Sequence, residues 1–430
     1  SIVNGFSNIS NEDESSGLVI FFDDLDTEML LPQLSTFKIK GPLKITFFPV
    51  EKDDNILIQS SFDLTKADVY IPALALKKVR GKKGQLKLGF TKDNRSLFEY
   101  SQNDVFVSGT ASHKSIFEIK KVNYSNISTP DIRIKRATFQ RFGEYNQFKT
   151  NKGTISLEFL MRLSFKKKKI PLDFIFSNIV VTFKKNKFLD SLKGEIRSFE
   201  GLRGYAKAKS SSKSNLEIII SPHKHNGITL VISGNDAGEF LRRGKYYENG
   251  YGGLFKASIF YKNRNKISGS LQIEQFRIKN APILAQIISS ASIIGLLDTL
   301  NGNGLSFTKM EGSFDYKDNK LTLNDGVAVG PSLGLTMAGY ERYGKKQNTV
   351  NVNGLVSPVY IINGVVKAIP LIGKVLGGEK GEGVFGVSYK VQGNSSNPRV
   401  LVNPLSILTP GVFRKIFNFE ENGNKWWSMI

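Results

Sequence analysis

Hydrophobic and polar residues alternate over most of the chain. Leu86, Leu88 and Phe90 fall on one side of QLKLGF, and Ile132 and Ile134 on one side of DIRIK. NLEIIIS repeats the pattern with Leu216, Ile218 and Ile220, GITLVIS with Ile228, Leu230 and Ile232, and GVSYKVQG with Val387, Tyr389 and Val391. A period of two puts every second side chain on one side of a pleated backbone, so each segment predicts a strand with one apolar face. GTISLEFLMRLSF alternates likewise through Ile155, Leu157, Phe159, Met161, Leu163 and Phe165, with only Leu160 out of phase. It predicts a single strand of about ten residues, long for a globular domain. In LQIEQFRIK the phase slips, because Leu271 and Ile273 are odd-numbered while Phe276 and Ile278 are even. A β-bulge near Gln275 accounts for the slip.

Gly, Asn, Ser and Lys turns separate these segments, which indicates an antiparallel meander. A looser recurrence places Gly194, Gly234, Gly269, Gly312, Gly354 and Gly393 among alternating residues, too irregularly to prove a solenoid. Two apolar stretches break the strand pattern. The first predicts a helix over 281–300, with Pro282 in its first turn and Asn280 as its cap. The second, near 358–376, contains Pro370 and predicts two short helices or a kinked one. Lys367 and Lys374 within it, and Trp426 and Trp427 at the end of the chain, are candidates for contact with a membrane interface.

Composition narrows the function classes. Sixty Lys and Arg against 38 Asp and Glu give a net charge of +22, which suits an anionic partner such as a membrane or glycolipid surface. The basic residues are spread along the chain and no nucleic-acid recognition signature accompanies them, so nucleic acid is not expected as a partner. Lys166–Lys169, the KKVRGKK run at 77–83, and Lys184, Lys185 and Lys187 read as solvated turns or protective edge charges. Their functional alternative is contact with lipid headgroups or glycolipid phosphates. Cysteine is absent, which removes disulfides, thiol catalysis and cysteine metal sites.

The motifs that resemble chemistry are weak. Gly330, Ser332 and Gly334 spell G-x-S-x-G, yet no histidine follows to act as base and the flanks read as strands. Gly381, Gly383 and Gly386 spell G-x-G-x-x-G, but a strand-like segment follows where a dinucleotide site needs a helix. His223 and His225 are two residues apart in a loop without a matching carboxylate. No catalytic residue, metal or cofactor is therefore expected, and the chain does not read as an enzyme.

Several blocks occur in a specific order: SGNDAGEFLRRGKYYENGYGG (Ser233–Gly253), APILAQIISSASIIGLLDTL, LSFTKMEGSFDY, NKLTLNDGVAVG, LGLTMAG, GLVSPVYIINGVVKAIPLIGKVLGGEKGEGVFGVSYKVQG (Gly354–Gly393) and NPLSILTPGVFRKIF. Together they resemble the C-terminal region of the AsmA-like family, most closely its YhdP-type branch. The likeness covers roughly residues 190–417 and is strongest over 233–415. It implies a Gram-negative envelope protein held in the inner membrane by an N-terminal segment absent from this chain, reaching across the periplasm. It also implies non-enzymatic phospholipid transport between inner and outer membranes, by a monomer with envelope proteins as further partners.

A sheet with one apolar face must cover that face, and two helical segments are too few for roughly twenty strands. A sandwich, a closed barrel and a curled sheet filled by something else all remain open, and the resemblance favours the third. The expected fold is mainly β: an elongated, twisted antiparallel sheet curled into a taco-like groove, with a few short helices near the C-terminal end. Residues 1–190 form a β-rich groove segment and 191–430 the AsmA-like C-terminal domain. Candidate groove residues are Leu157, Phe159, Met161, Leu163, Leu216, Ile218, Ile220, Ile228, Leu230 and Ile232. The rival is a structural or adhesive β-sandwich that binds anionic polysaccharide or lipopolysaccharide.

Overall fold

The computed structural model describes residues 18–26, 38–48, 56–71, 76–115, 118–162, 171–198, 201–211, 213–224, 227–263, 266–291, 296–344, 346–358 and 386–403. These residues carry 26 strands and four short helices, so the fold is mainly β. The chain divides into two compact units, Ser1–Lys209 and Ser210–Ile430.

In the first unit, β1 (Leu18–Asp26) pairs with β2 (Lys38–Phe48), whose other edge is shared by β3 (Ile56–Asp63) and β4 (Asp68–Ile71). β5 (Leu76–Lys78) pairs with β4. β6 (Gln85–Thr91) continues from β3, and β7 (Arg95–Gln102), β8 (Val105–Ser115) and β9 (Glu118–Ser128) follow in turn. β10 (Ile132–Ile134) and β11 (Ala137–Phe142) share the edge of β9 and pair with β13 (Gly153–Ser156) and β12 (Tyr145–Thr150) respectively.

β14 (Leu172–Phe183) then runs parallel to both β12 and β13, where the alternation alone predicts antiparallel pairing throughout. β15 (Asn186–Arg197) and β16 (Arg203–Lys209) resume the antiparallel order. A parallel pair needs a crossover connection. Helix α1 (Leu157–Arg162) lies in it and corrects the single strand expected over 155–165. Ser156 ends β13 and caps the helix, its Oγ accepting from the Phe159 N–H at 3.0 Å. The same hydroxyl donates to Asp131 Oδ1 at 2.8 Å, and Glu158 favours the positive end of the helix. A local cap thus overrides a period-two pattern.

The second unit is a ten-stranded antiparallel meander in which each strand pairs with the next. Its strands are β17 (Asn215–Pro222), β18 (Ile228–Gly234), β19 (Gly250–Asn263), β20 (Lys266–Ile278) and β21 (Leu305–Lys317). β22 (Lys320–Val329), β23 (Leu333–Arg342), β24 (Thr349–Pro358), β25 (Val387–Asn394) and β26 (Arg399–Asn403) complete it. Helix α2 (Ala237–Arg243) joins β18 to β19, and Asp236 caps it by accepting from the Glu239 N–H.

The helix expected over 281–300 is two helices among the described residues, α3 (Pro282–Ser290) and α4 (Leu296–Asn301). Helix α3 closes at Ala291, whose N–H donates to Ile287 O. Its N-cap is Ala281 with no side-chain cap, not Asn280, which sits at φ +46°. The helical segment expected near 358–376 lies outside the described residues.

The phase slip at Gln275 is present but is not a bulge in the register sense. Glu274 and Phe276 pair with Leu254 and Gly252 on one side and with Lys309 and Phe307 on the other, without a shift. Instead Gln275 adopts φ +56° and Gly253 across from it φ +97°. Ile273 and Phe276, three residues apart, consequently both point inward.

Candidate functional site

The registers turn the alternation into continuous apolar rows. One row of the second unit runs Leu216, Gly234, Phe255, Ile273, Met310, Ala328, Leu335, Val356, Val387. The next runs Ile218, Ile232, Ala257, Leu271, Gly312, Gly326, Met337, Gly354, Tyr389, Val402. The third runs Ile220, Leu230, Ile259, Gly269, Phe314, Leu323, Gly339, Val352, Val391, Val400. No charged side chain interrupts them. Residues between the rows face the other way and are largely polar, as in the cross-strand series Glu217, Ser233, Lys256, Gln272, Glu311.

One end of this face is covered. Leu284, Ile287 and Ile288 of α3 and Leu300 of α4 pack with Leu305, Phe307, Ala328, Leu333, Val356 and Val387 into a buried cluster. Away from the helices the covering is incomplete among the described residues: Ile218, Ile220, Leu230, Ile232, Phe314 and Met337 are only half-buried, and Leu271 is 38% exposed.

The first unit is built the same way. Its best-buried row runs Ile45, Phe62, Leu86, Tyr100, Val107, Ile127, Ile134, Gly153, Ile179, Leu192, Ala208. Two registers along, Ile58, Phe90, Ser96, Ala111, Val122, Phe139, Phe148, Phe174, Ile196 and Gly204 form an outer row. Ile58 there is 48% exposed, and Phe90 and Phe174 each 37%. An aromatic chain runs from Phe98 and Tyr124, between these rows, to Phe148 and Phe174 of the outer row, with centroids 5.9, 6.1 and 5.9 Å apart. Phe suits such a wall, since it brings apolar area without a polar atom to satisfy. Burial pushes the phenols of Tyr100 and Tyr124 up to about 12, so both stay neutral on this face.

Of the expected groove residues, six converge. Ile218 lies opposite Ile232, Ile220 opposite Leu230, Pro222 opposite Ile228 and Leu216 opposite Gly234. Leu216 and Ile228 are buried, whereas the other four are half-buried. Leu157, Phe159 and Met161 belong to helix α1 in the other unit, with Phe159 in its buried cluster. Leu163, Lys367, Lys374, Trp426 and Trp427 lie outside the described residues.

The recurrent glycines carried a signal whose meaning needed the register. Gly194, Gly234, Gly269, Gly312, Gly354 and Gly393 all lie on the apolar face of their unit. At Gly269 and Gly354 a large side chain crosses the bare backbone: a Cβ would collide with the rings of Phe314 and Tyr389.

One basic residue departs from its expected place. Lys78, in the run at 77–83, is buried at 1% exposure, and its Nζ donates to Ala67 O at 2.7 Å. Weaker bonds reach Thr65 O and Val79 O, both at 3.4 Å.

Of the motif-like segments, Gly330–Gly334 makes the turn from β22 to β23, Gly330 N–H donating to Leu333 O at 2.9 Å. The His223 ring lies against Phe260, with centroids 4.0 Å apart. Among the described residues no group of three or more His, Cys, Asp or Glu is placed to hold a metal ion. No helix among them is long and apolar enough to cross a membrane. No model of a known protein family matches the chain, and neither does any curated protein or solved structure.

Proposed function

We propose that the chain carries phospholipids, without catalysis, their acyl chains lying along the apolar sheet face and their headgroups in water. The observation that carries this reading is the set of uncharged rows in the second unit, two of them crossing all ten strands, covered by helices at one end only among the described residues. Soluble proteins rarely leave a contiguous apolar face of more than a few hundred Å² uncovered. Each methylene kept from water is worth about 0.8 kcal/mol, so a bare two-chain lipid meets a prohibitive barrier in water that a continuous apolar face lowers. Apolar contact is non-directional, so neighbouring positions along the rows differ little in energy and a lipid can slide. The resemblance of residues 233–415 to the YhdP-type branch extends the proposal to a place. The protein then acts in a Gram-negative periplasm, anchored at the inner membrane and moving phospholipid between the two membranes.

Lipid mass spectrometry of the purified chain tests this reading. Stoichiometric glycerophospholipid is the expected result. A lipid-free protein would make the apolar faces ordinary core and favour the polysaccharide-binding sandwich.

A further inference from the structure

The second unit carries four cations in direct cross-strand register. Lys266 lies opposite Lys317, Lys317 opposite Lys320, and Lys320 opposite Arg342. With neighbouring strands about 4.8 Å apart, the four span about 14 Å of the sheet rim. Like charges directly opposite each other destabilise a sheet, so the arrangement works against the fold unless an anion offsets it. No salt bridge among the described residues neutralises any of the four.

Two of the three nearby carboxylates are otherwise engaged. Asp315 accepts from Asn324 Nδ2 at 2.8 Å, and Glu341 accepts from Asn348 Nδ2 at 3.4 Å on the apolar side. Asp318 occupies the β21–β22 turn with Asn319, both at positive φ, 49° and 59°. Lys320 Nζ sits 4.3 Å from the centroid of the Tyr340 ring, a contact that does not cancel its charge.

The position of the ladder matters as much as its charge. It is one residue beyond the last row of the apolar face, Ile267, Tyr316, Leu321, in which Glu341 follows on β23, at the end of the sheet where the β19–β20, β21–β22 and β23–β24 turns lie. That is the end opposite helices α3 and α4, which follow Ile278 at the far end of β20. Alternation sends these four side chains toward the polar face, where Lys320 lies over Tyr340. Each sits at a strand terminus, from which a long flexible stem has the reach to bend around the rim to a bound anion. An amphiphile lying on the apolar rows with its tails toward the helices places its headgroup here.

Resting on the lipid-carrying reading above, we propose that the Lys266–Lys317–Lys320–Arg342 ladder binds the phosphate groups of carried phospholipids. It orients their headgroups to the hairpin rim and favours anionic over zwitterionic headgroups. Arg binds phosphate through a planar fork and Lys as a point charge, so a mixed ladder selects charge and not one headgroup shape.

The test uses the full chain and two kinds of vesicle with identical acyl chains, one of phosphatidylglycerol and one of phosphatidylcholine. The readout is tail-labelled lipid retained by the protein after vesicles are removed, at low salt, for the wild type and Lys317→Ser/Lys320→Ser. The wild type is expected to retain the anionic lipid about fivefold better, the effect of one basic side chain beside an anionic headgroup. In the variant that preference falls towards unity while phosphatidylcholine retention is unchanged. Thermal unfolding of the variant should come no earlier than that of the wild type, because a repulsion is removed, and this separates lost binding from lost folding.

A variant that keeps the full preference, or a wild type with none, overturns the proposal. So does a wild type that sediments with anionic vesicles yet retains both lipids equally, since the ladder is then a membrane-docking surface. Retention of neither lipid by the wild type would instead remove the lipid-carrying reading on which the ladder proposal stands.

Discussion

Tyr389 reaches over Gly354 on β24, directly opposite it, to donate a 2.8 Å hydrogen bond to the Thr336 carbonyl on β23. The buried phenol is held far above its ordinary pKa by desolvation, so the donor is permanent. Its ring occupies the space that any side chain at position 354 needs. Three strands of the apolar face are thereby tied together where the buried cluster gives way to the half-buried rows.

Gly354→Ala is accordingly expected to cost about 2 kcal/mol of stability, because the new Cβ meets both the Thr336 carbonyl and the Tyr389 ring that bonds to it. Tyr389→Phe, which removes only the hydrogen bond, should cost about 1 kcal/mol. Denaturant titration measures both, and equal losses would mean that the ring, and not the glycine gap, sets the packing.

The sequence displayed the strands whose rows form the face, because Ile218, Leu230 and Ile232 alternate cleanly and alternation has no competing local signal there. It could not display which rows are covered, since Leu216 and Ile218 are identical in pattern but buried and half-buried in fact. Coverage depends on what packs over each row, which is a tertiary relation. The period misled at 155–165, where the Ser156 cap and a parallel crossover took precedence. Gln275 shows a subtler limit: the slip was readable, but a paired positive φ and an inserted residue leave the same trace in sequence.

The difference between covered and uncovered rows has a mutational signature. Ile288→Ala, at 0% exposure on the inner side of α3, should cost about 3 kcal/mol through the cavity it leaves. Leu216→Asp should be more damaging still, because it buries a charge. Ile218→Asp and Leu230→Asp, half-buried, should cost about 1 kcal/mol or less yet abolish lipid retention. Thermal unfolding paired with lipid retention separates the two groups, and a severe stability loss at Ile218 would indicate a covered face.

Lys78 provides a pH test in the first unit. Burial lowers its pKa below the ordinary 10.5, against the opposing pull of Asp68 and Asp63. Between the lowered value and 10.5 the unfolded chain holds a proton that the fold has released, so this group's contribution to stability rises with pH across that window. Lys78→Met removes the donor to three carbonyls and should cost about 3 kcal/mol near neutrality. The stability gap between wild type and variant should widen as pH rises through the window. A gap independent of pH would contradict the burial argument.

In helix α2 the charge logic reverses. Burial raises the Glu239 carboxyl, but hydrogen bonds and charge from Arg243 and Arg242 outweigh it and leave the pKa below the ordinary 4.5. Its contribution is therefore present above about 4.5 and is lost as pH falls through the lowered value. Glu239→Gln should cost less than about 1 kcal/mol at neutral pH and shift the acid unfolding midpoint of this unit upward. Coincident acid transitions in the two proteins would show that the cluster adds nothing.

The central claim is that lipid, and not protein, covers the outer rows of the apolar face. A photo-crosslinking side chain placed in turn at Ile218, Leu230 and Phe314, with controls at Glu217, Ser233 and Lys256 on the opposite face, measures this directly in lipid-loaded protein. Phospholipid adducts at the first three positions and none at the controls are the predicted result. Adducts absent from the first three, or equal on both faces, would contradict the account.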